Sequence, residues 1–248
     1  MMSRIFALLL LCLLPFGAQA EQVVAALSQT RVSVNANFDG SEILVFGAVK
    51  RDKPVPTDSP LDVIITVAGP EQVETIRRKD RRFGIWINVE AQVIGHTPTF
   101  YTVASTRPIA DILPPLTDSL WKITADKRIL PAMRGNPARE ALIELRQKDD
   151  LYRTREGEVV LSADTLFDTS IALPANIVEG AYATRIFLVR DGEVIDSYGT
   201  SINVQKVGIE RWLYNLAYSQ ALIYGLMALA IAALSGWAAS EVFRLIRR

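Results

Sequence analysis

The sequence predicts a mainly β fold: two Ig-like β-sandwich units with an intervening helix, followed by one C-terminal transmembrane helix. Three observations predict it. Short alternating or continuous apolar runs recur between Pro and Gly breaks, the pattern of short strands in a sandwich. One segment after residue 136 changes to helical spacing. Residues 212–240 contain no charged side chain, which is the length and composition of a membrane span.

The first unit, residues 21–110, reads as strands. Val32, Val34, Ala36 and Phe38 alternate with polar residues until Asp39-Gly40 supplies a turn. Ile43 to Val49 is continuously apolar, and the two runs are expected to pair as a hairpin. Leu61 to Val67 follows, bounded by Pro60 and Gly69-Pro70. Gly84 to Glu90 alternates again, and Phe100 to Ala104 adds a short strand.

The second unit, residues 111–208, begins with helix. Asn136-Pro137 is a helix start, and Ala138, Ala141, Leu142, Leu145 and Tyr152 fall on one face, with Glu144 and Lys148 paired on the other. A shorter helix is expected over Asp118 to Asp126. Strands return at Val159–Leu161, Ile171–Leu173, Tyr182–Arg190, Glu193–Ile195 and Tyr198–Val204, with Asp191-Gly192 as a hairpin turn. The loop Asn176 to Gly180, leading into Tyr182, is analogous to the tyrosine-bearing corner of an Ig-like sandwich. Whether the two units share a core is not written in the periodicity.

The two ends carry addressing information. Arg4, the apolar run 5–16 and Ala18-Gln19-Ala20 form a signal peptide over residues 1–20. Leu11 stands where a lipoprotein signal would place a small residue before Cys12, the chain's only cysteine. Cleavage after Ala20 leaves a protein without disulfides, whose core must suffice. No asparagine begins an Asn-x-Ser/Thr acceptor, which favours a bacterial periplasm. The span 212–240 has Trp212, Tyr214, Tyr218 and Trp237 near its ends. Residues 241–248 then carry Arg244, Arg247 and Arg248, so the positive-inside rule places this tail in the cytoplasm and the body in the periplasm. Along the span, Ala217, Ala221, Gly225, Ala228, Ala232 and Gly236 repeat small residues at spacings that let a second membrane helix approach closely.

Composition excludes several classes of function. The chain has 27 basic and 27 acidic residues, and this balance gives no global reason to expect nucleic acid as a partner. His96 is the single histidine, so a nucleophile would lack its usual base, and nitrogen- or sulfur-liganded metals lack donors. Asp164 and Asp168 lack the surrounding loop of a calcium site. No phosphate-binding glycine loop follows a strand. No catalytic, cofactor-binding or metal residue is therefore assigned.

The sharpest charged feature is Arg77, Arg78, Lys79, Arg81 and Arg82 around Asp80. It could contact an anionic ligand or the headgroups of the inner membrane. It could equally be a solvated hairpin tip that blocks edge pairing, and that plainer account is preferred. Trp86, opposite Ile85 and Ile87 in the alternation, is either a core residue of a second sheet or an exposed anchor, and core is preferred.

Residues 77–79, 83–88, 98–101 and 104–108, with Phe83-Gly84-Ile85-Trp86-Ile87-Asn88 at their centre, resemble an alphaproteobacterial family of transmembrane proteins of unknown function. The resemblance implies a periplasmic β-rich domain and one C-terminal inner-membrane span. It supplies no activity. The expected function is a non-enzymatic, inner-membrane-anchored periplasmic interaction module with a membrane-protein partner. The alternatives are an accessory subunit of a multi-span transporter, a carboxylate-based periplasmic hydrolase, and a sensor of an anionic ligand.

Overall fold

The computed structural model describes residues 21–35, 38–51, 59–129, 137–207 and 209–246. The expected signal peptide, Asn136 and the last two arginines lie outside them. The strands are β1 (Gln22–Leu27), β2 (Arg31–Val34), β3 (Ser41–Lys50), β4 (Asp62–Ala68), β5 (Glu71–Arg82), β6 (Ile85–Pro98), β7 (Tyr101–Ser105), β8 (Tyr152–Glu156), β9 (Val160–Ser162), β10 (Leu166–Leu173), β11 (Gly180–Arg190) and β12 (Glu193–Lys206). The helices are α1 (Ile109–Ile112), α2 (Pro115–Trp121), α3 (Ala125–Arg128), α4 (Pro137–Lys148), α5 (Ile209–Ser219) and α6 (Ala221–Ile246).

Two sheets form the body. The four-stranded sheet has the order β1-β3-β10-β9 and the six-stranded sheet the order β2-β12-β11-β4-β7-β8. In the smaller sheet the period-two pattern buries one face: Phe167, Thr169, Ile171 and Leu173 point inward, while Leu166 and Asp168 face solvent. In the larger sheet every residue of β4 and β7 is buried, because both faces are covered. One face, with Val63 and Ile65 beside Ile186 and Leu188, joins Ile43, Val45, Phe167 and Ile171 of the smaller sheet in one buried apolar cluster.

The other face meets the short helices. Tyr101 donates its hydroxyl to the carbonyl of Ile123 at 2.6 Å. Arg185 donates to the carbonyls of Trp121 and Lys122 at 3.0 and 2.9 Å and lies 5.1 Å from the centre of the Phe187 ring. Trp121 sets its edge against the same ring at 5.8 Å. These bonds satisfy the carbonyls at the end of α2, which has no helical continuation to do so.

Strand positions follow the periodicity, but pairing does not. β3 does not pair with β2. It lies between β1 and β10, whereas β2 runs parallel to β12 in the other sheet. Each sheet draws strands from both sides of residue 110, so the stretches 21–110 and 111–208 share one core and are not separate sandwiches. The reason is the apolarity of β4. A strand buried on both faces needs a covered neighbour on each side, and β7 and the distant β11 provide them. Residues 193–206 form one long strand, and Asp191 and Gly192, with φ of 51° and 79°, make the expected two-residue turn. Tyr182 donates to the carbonyl of Val178 at 2.8 Å, anchoring the loop before β11, and burial pushes its hydroxyl up to about 12.

The helical stretch departs from expectation in detail. The single short helix expected near residue 118 is two, α2 and α3. Helix α4 ends at Lys148, so Tyr152 belongs to β8. It buries Leu142 and Arg139 but leaves Leu145 half exposed. The apolar stretch 212–240 is also divided: α5 ends at Ser219, and the segment long and apolar enough to cross a membrane is Ala221–Val242 within α6.

One buried charge cluster closes the body. Glu21 accepts from Arg51 Nε at 2.6 Å and lies 3.0 Å from Arg190, with all three side chains nearly buried. Two residues later, the amide of Val23 donates to Asp196 at 2.7 Å, tying the smaller sheet to the larger. Removing the negative partner strands two arginines away from water. Glu21→Gln is therefore expected to cost about 3 kcal/mol in urea unfolding of the detergent-solubilised chain. A cost near zero would mean the cluster is solvated.

Candidate binding surface

β5 and β6 stand outside both sheets as a two-stranded antiparallel ribbon. It is an extension of the β4–β7 hairpin. Gly69 donates to Phe100 and Thr99 to Pro70, carrying the ladder across the junction. Only glycine fits at 69, where a Cβ would come within 2.6 Å of Thr99 Oγ1. At about 3.3 Å per residue the twelve residues of β5 span about 36 Å.

The basal half of the ribbon is braced. Arg128 pairs with Glu71 at 2.6 Å, and Arg146 of α4 pairs with Glu74. The N-terminal end of α4, at Pro137, Ala138 and Ala141, borders a groove of about 310 Å³ with Ile76, Arg78 and Gln92. Beyond this brace the distal half, from Lys79 to Asn88, is exposed on both faces.

The predicted basic cluster lies on strand β5, running from Arg77 and Arg78 beside the α4 groove to Lys79, Arg81 and Arg82 in the distal half. The turn is made by Phe83 and Gly84, with φ of 52° and 86°. Cross-strand neighbours are Arg82 with Ile85, Arg81 with Trp86, and Lys79 with Asn88. Arg78 is 3.3 Å from Glu90 and Arg82 is 3.8 Å from Asp80, while Arg77 and Lys79 have no ion-pair partner among the described residues. Such exposed pairs hold little energy, so five cations against Asp80 and Glu90 leave the tip positive.

The exposure of Phe83 and Ile85 was not found by sequence reasoning, and for Trp86 the exposed-anchor reading holds over the preferred core one. Trp86 is 68 % exposed; Ile85 is 65 % exposed, and Phe83 is fully exposed. The alternation around Trp86 presupposes one buried face, and a free ribbon has none. The signal that could have found it is β5 itself, which carries charge on both faces and therefore has no inward side. Phe83 is also costly where it stands, since a bulky residue at positive φ is disfavoured and turns of this type select Asn, Asp or Gly. Neither local conformation nor core packing accounts for an aromatic there.

The small-residue face lies in the helical C-terminal region. Ala217 is on α5 and Ala221, Gly225, Ala228, Ala232 and Gly236 are on α6, and nothing stands within 4 Å of a Cβ built on Gly225 or Gly236. Trp212, Tyr214 and Tyr218, expected at a membrane interface, are exposed on α5, with the two tyrosine rings 4.5 Å apart.

Elsewhere, carboxylates gather in one cleft of about 330 Å³ lined by Asp62, Arg107, Asp111 and Asp191. Buried Asp62 accepts from Thr106 at 2.7 Å and from Arg107 Nε at 2.9 Å, and this bonding raises the arginine further above its ordinary value. Asp191 accepts from Ser59 at 2.7 Å. An aspartate so fully engaged is poorly placed for acid–base chemistry. His96 sits in β6, exposed, 3.6 Å from Glu71. Among the described residues no group of three or more His, Cys, Asp or Glu side chains is arranged to hold a metal ion.

Exposure at the tip has a direct energetic signature. Phe83→Ser and Trp86→Ser are each expected to change unfolding free energy by less than about 0.5 kcal/mol, as for other surface positions. A loss of about 3 kcal/mol for Trp86→Ser, typical of a core aromatic, would contradict the geometry.

Among solved structures, the crystal structure of the sporulation control protein Spo0M from Bacillus subtilis is similar over 75 % of this chain at 11 % identity, with a TM-score of 0.27. The match spans about half of that protein, 49 %, and at this score it carries no structural argument. No curated protein matches the chain. Residues 22–245, which take in the body, the ribbon and the apolar helix, match the model of the family described as "Putative transmembrane protein (Alph_Pro_TM)", and the chain belongs to that family.

Proposed function

We propose that the chain is a non-enzymatic interaction module anchored by α6 in the bacterial inner membrane, with its β-rich body in the periplasm and its C-terminus in the cytoplasm. The observation that carries this reading is the ribbon. Its distal half buries nothing in the core, yet it presents Phe83, Ile85 and Trp86 among Lys79, Arg81 and Arg82, with Arg77 and Arg78 just behind them. Exposed aromatic and arginine side chains are the usual anchors of a binding surface. The bracing by α4 presents them with a direction.

The membrane orientation rests on Arg244, Arg247 and Arg248 beyond the apolar stretch. The small-residue face supports close packing against a helix of a membrane-protein partner, since small side chains let helix backbones approach in lipid. Accessory service to a transporter would be one form of such a partnership.

A photoreactive side chain at Phe83 of the full chain in native membranes is expected to capture a molecule other than the chain itself. The same group at Asp168, exposed on the smaller sheet, is expected to capture none. Self-adducts alone at Phe83, or equal capture at both sites, would contradict the reading.

A further inference from the structure

We infer that the ribbon tip is a second membrane contact: it lays Phe83, Ile85 and Trp86 into the interface of an anionic bilayer, the one in which α6 is anchored. The inference rests on the interaction-module reading and names the partner of its binding element.

The first argument is direction. β4 is antiparallel to β11, and β11 to β12, so β4 and β12 run the same way. The ribbon continues from the end of β4 and the anchor from the end of β12. Both therefore leave the larger sheet at the same end.

The second is reach. Ala68 lies opposite Ala183, which lies opposite Ser201, so β12 continues five residues past the level where the ribbon departs. Those five residues advance about 17 Å, and the eleven residues of α5 add up to about 16 Å before α6 begins. From the same level the ribbon runs fourteen residues, from Ala68 to Arg82, or up to about 46 Å of extended chain. The ribbon is therefore long enough to reach the level at which the anchor begins.

The third is chemistry. A membrane interface accepts amphipathic rings at headgroup depth and attracts cations to anionic lipid. The tip offers a tryptophan, a phenylalanine and an isoleucine at its extremity, with Arg81 and Arg82 directly beside Trp86 and Ile85 and with Lys79, Arg78 and Arg77 set back along β5. α5 carries Trp212, Tyr214 and Tyr218 to the interface on the anchor side. A folded body held at two points is restrained in tilt, which one flexible tether would not achieve.

The test uses the full chain with Cys12→Ser and Phe83→Cys, labelled with a polarity-sensitive fluorophore, in nanodiscs of zwitterionic lipid with or without anionic phosphatidylglycerol. In the anionic discs the emission should shift to the blue and be quenched by spin-labelled lipid. Combining Arg77→Ser, Lys79→Ser, Arg81→Ser and Arg82→Ser should reduce apparent tip binding at least about tenfold, at about 1 kcal/mol per cation. The same label at Asp168→Cys should remain in water, and an unchanged urea midpoint would show that the serine variant is folded. A tip label that stays in water in anionic discs overturns the inference. If the photoreactive group at Phe83 then captures a protein in native membranes, the module reading stands and lipid is the wrong partner; if it captures nothing, both fall.

Discussion

β4 is apolar on both faces, and burying both faces at once constrains everything built around it. One face must meet a second sheet, the other needs a cover of helices, and both edges need paired neighbours. The chain meets these demands with β7, which is local, and with β11, which arrives more than a hundred residues later. That long-range pairing places residues from both halves of the sequence in a common core, and it aims the ribbon. Because β5 and β6 continue β4 and β7, the direction of the ribbon is set by the most deeply buried hairpin of the protein.

The division between body and ribbon is a division of physical roles. In the body, apolar burial and backbone pairing do the stabilising work, with ion clusters such as Glu21–Arg51–Arg190 at the seams. In the distal ribbon the ladder of backbone bonds holds the shape and the side chains are left available. A two-stranded ribbon is marginal by itself, and here it is held at its base by Arg128, Arg146 and the N-terminal end of α4.

Much of the fold was legible locally, and little of it globally. The strands at 43–49, 61–67, 100–104 and 182–190, the helix from Pro137, the turn at Asp191-Gly192 and the C-terminal apolar helix all follow from spacing and punctuation. Partners did not follow, because period two reports which face is buried and is silent on which strand lies alongside. Residues 71–82 were not seen as a strand, since a ribbon solvated on both faces needs no apolar alternation. The same cause favoured the core reading of Trp86. The cations at 77–82 were legible as a cluster, but the apolar crown beside them depends on the turn at Phe83 and Gly84, which a phenylalanine in a turn position does not announce. The break at Gln220 was hidden inside an unbroken apolar stretch.

Native-state hydrogen exchange on the full chain in detergent micelles tests the shared core most directly. The account predicts that amides of Ile64–Thr66, Ile186–Leu188, Val45 and Ile171 open with one common free energy, while those of the distal ribbon exchange far faster. Strands before residue 110 opening at a free energy distinct from those after it would contradict the account.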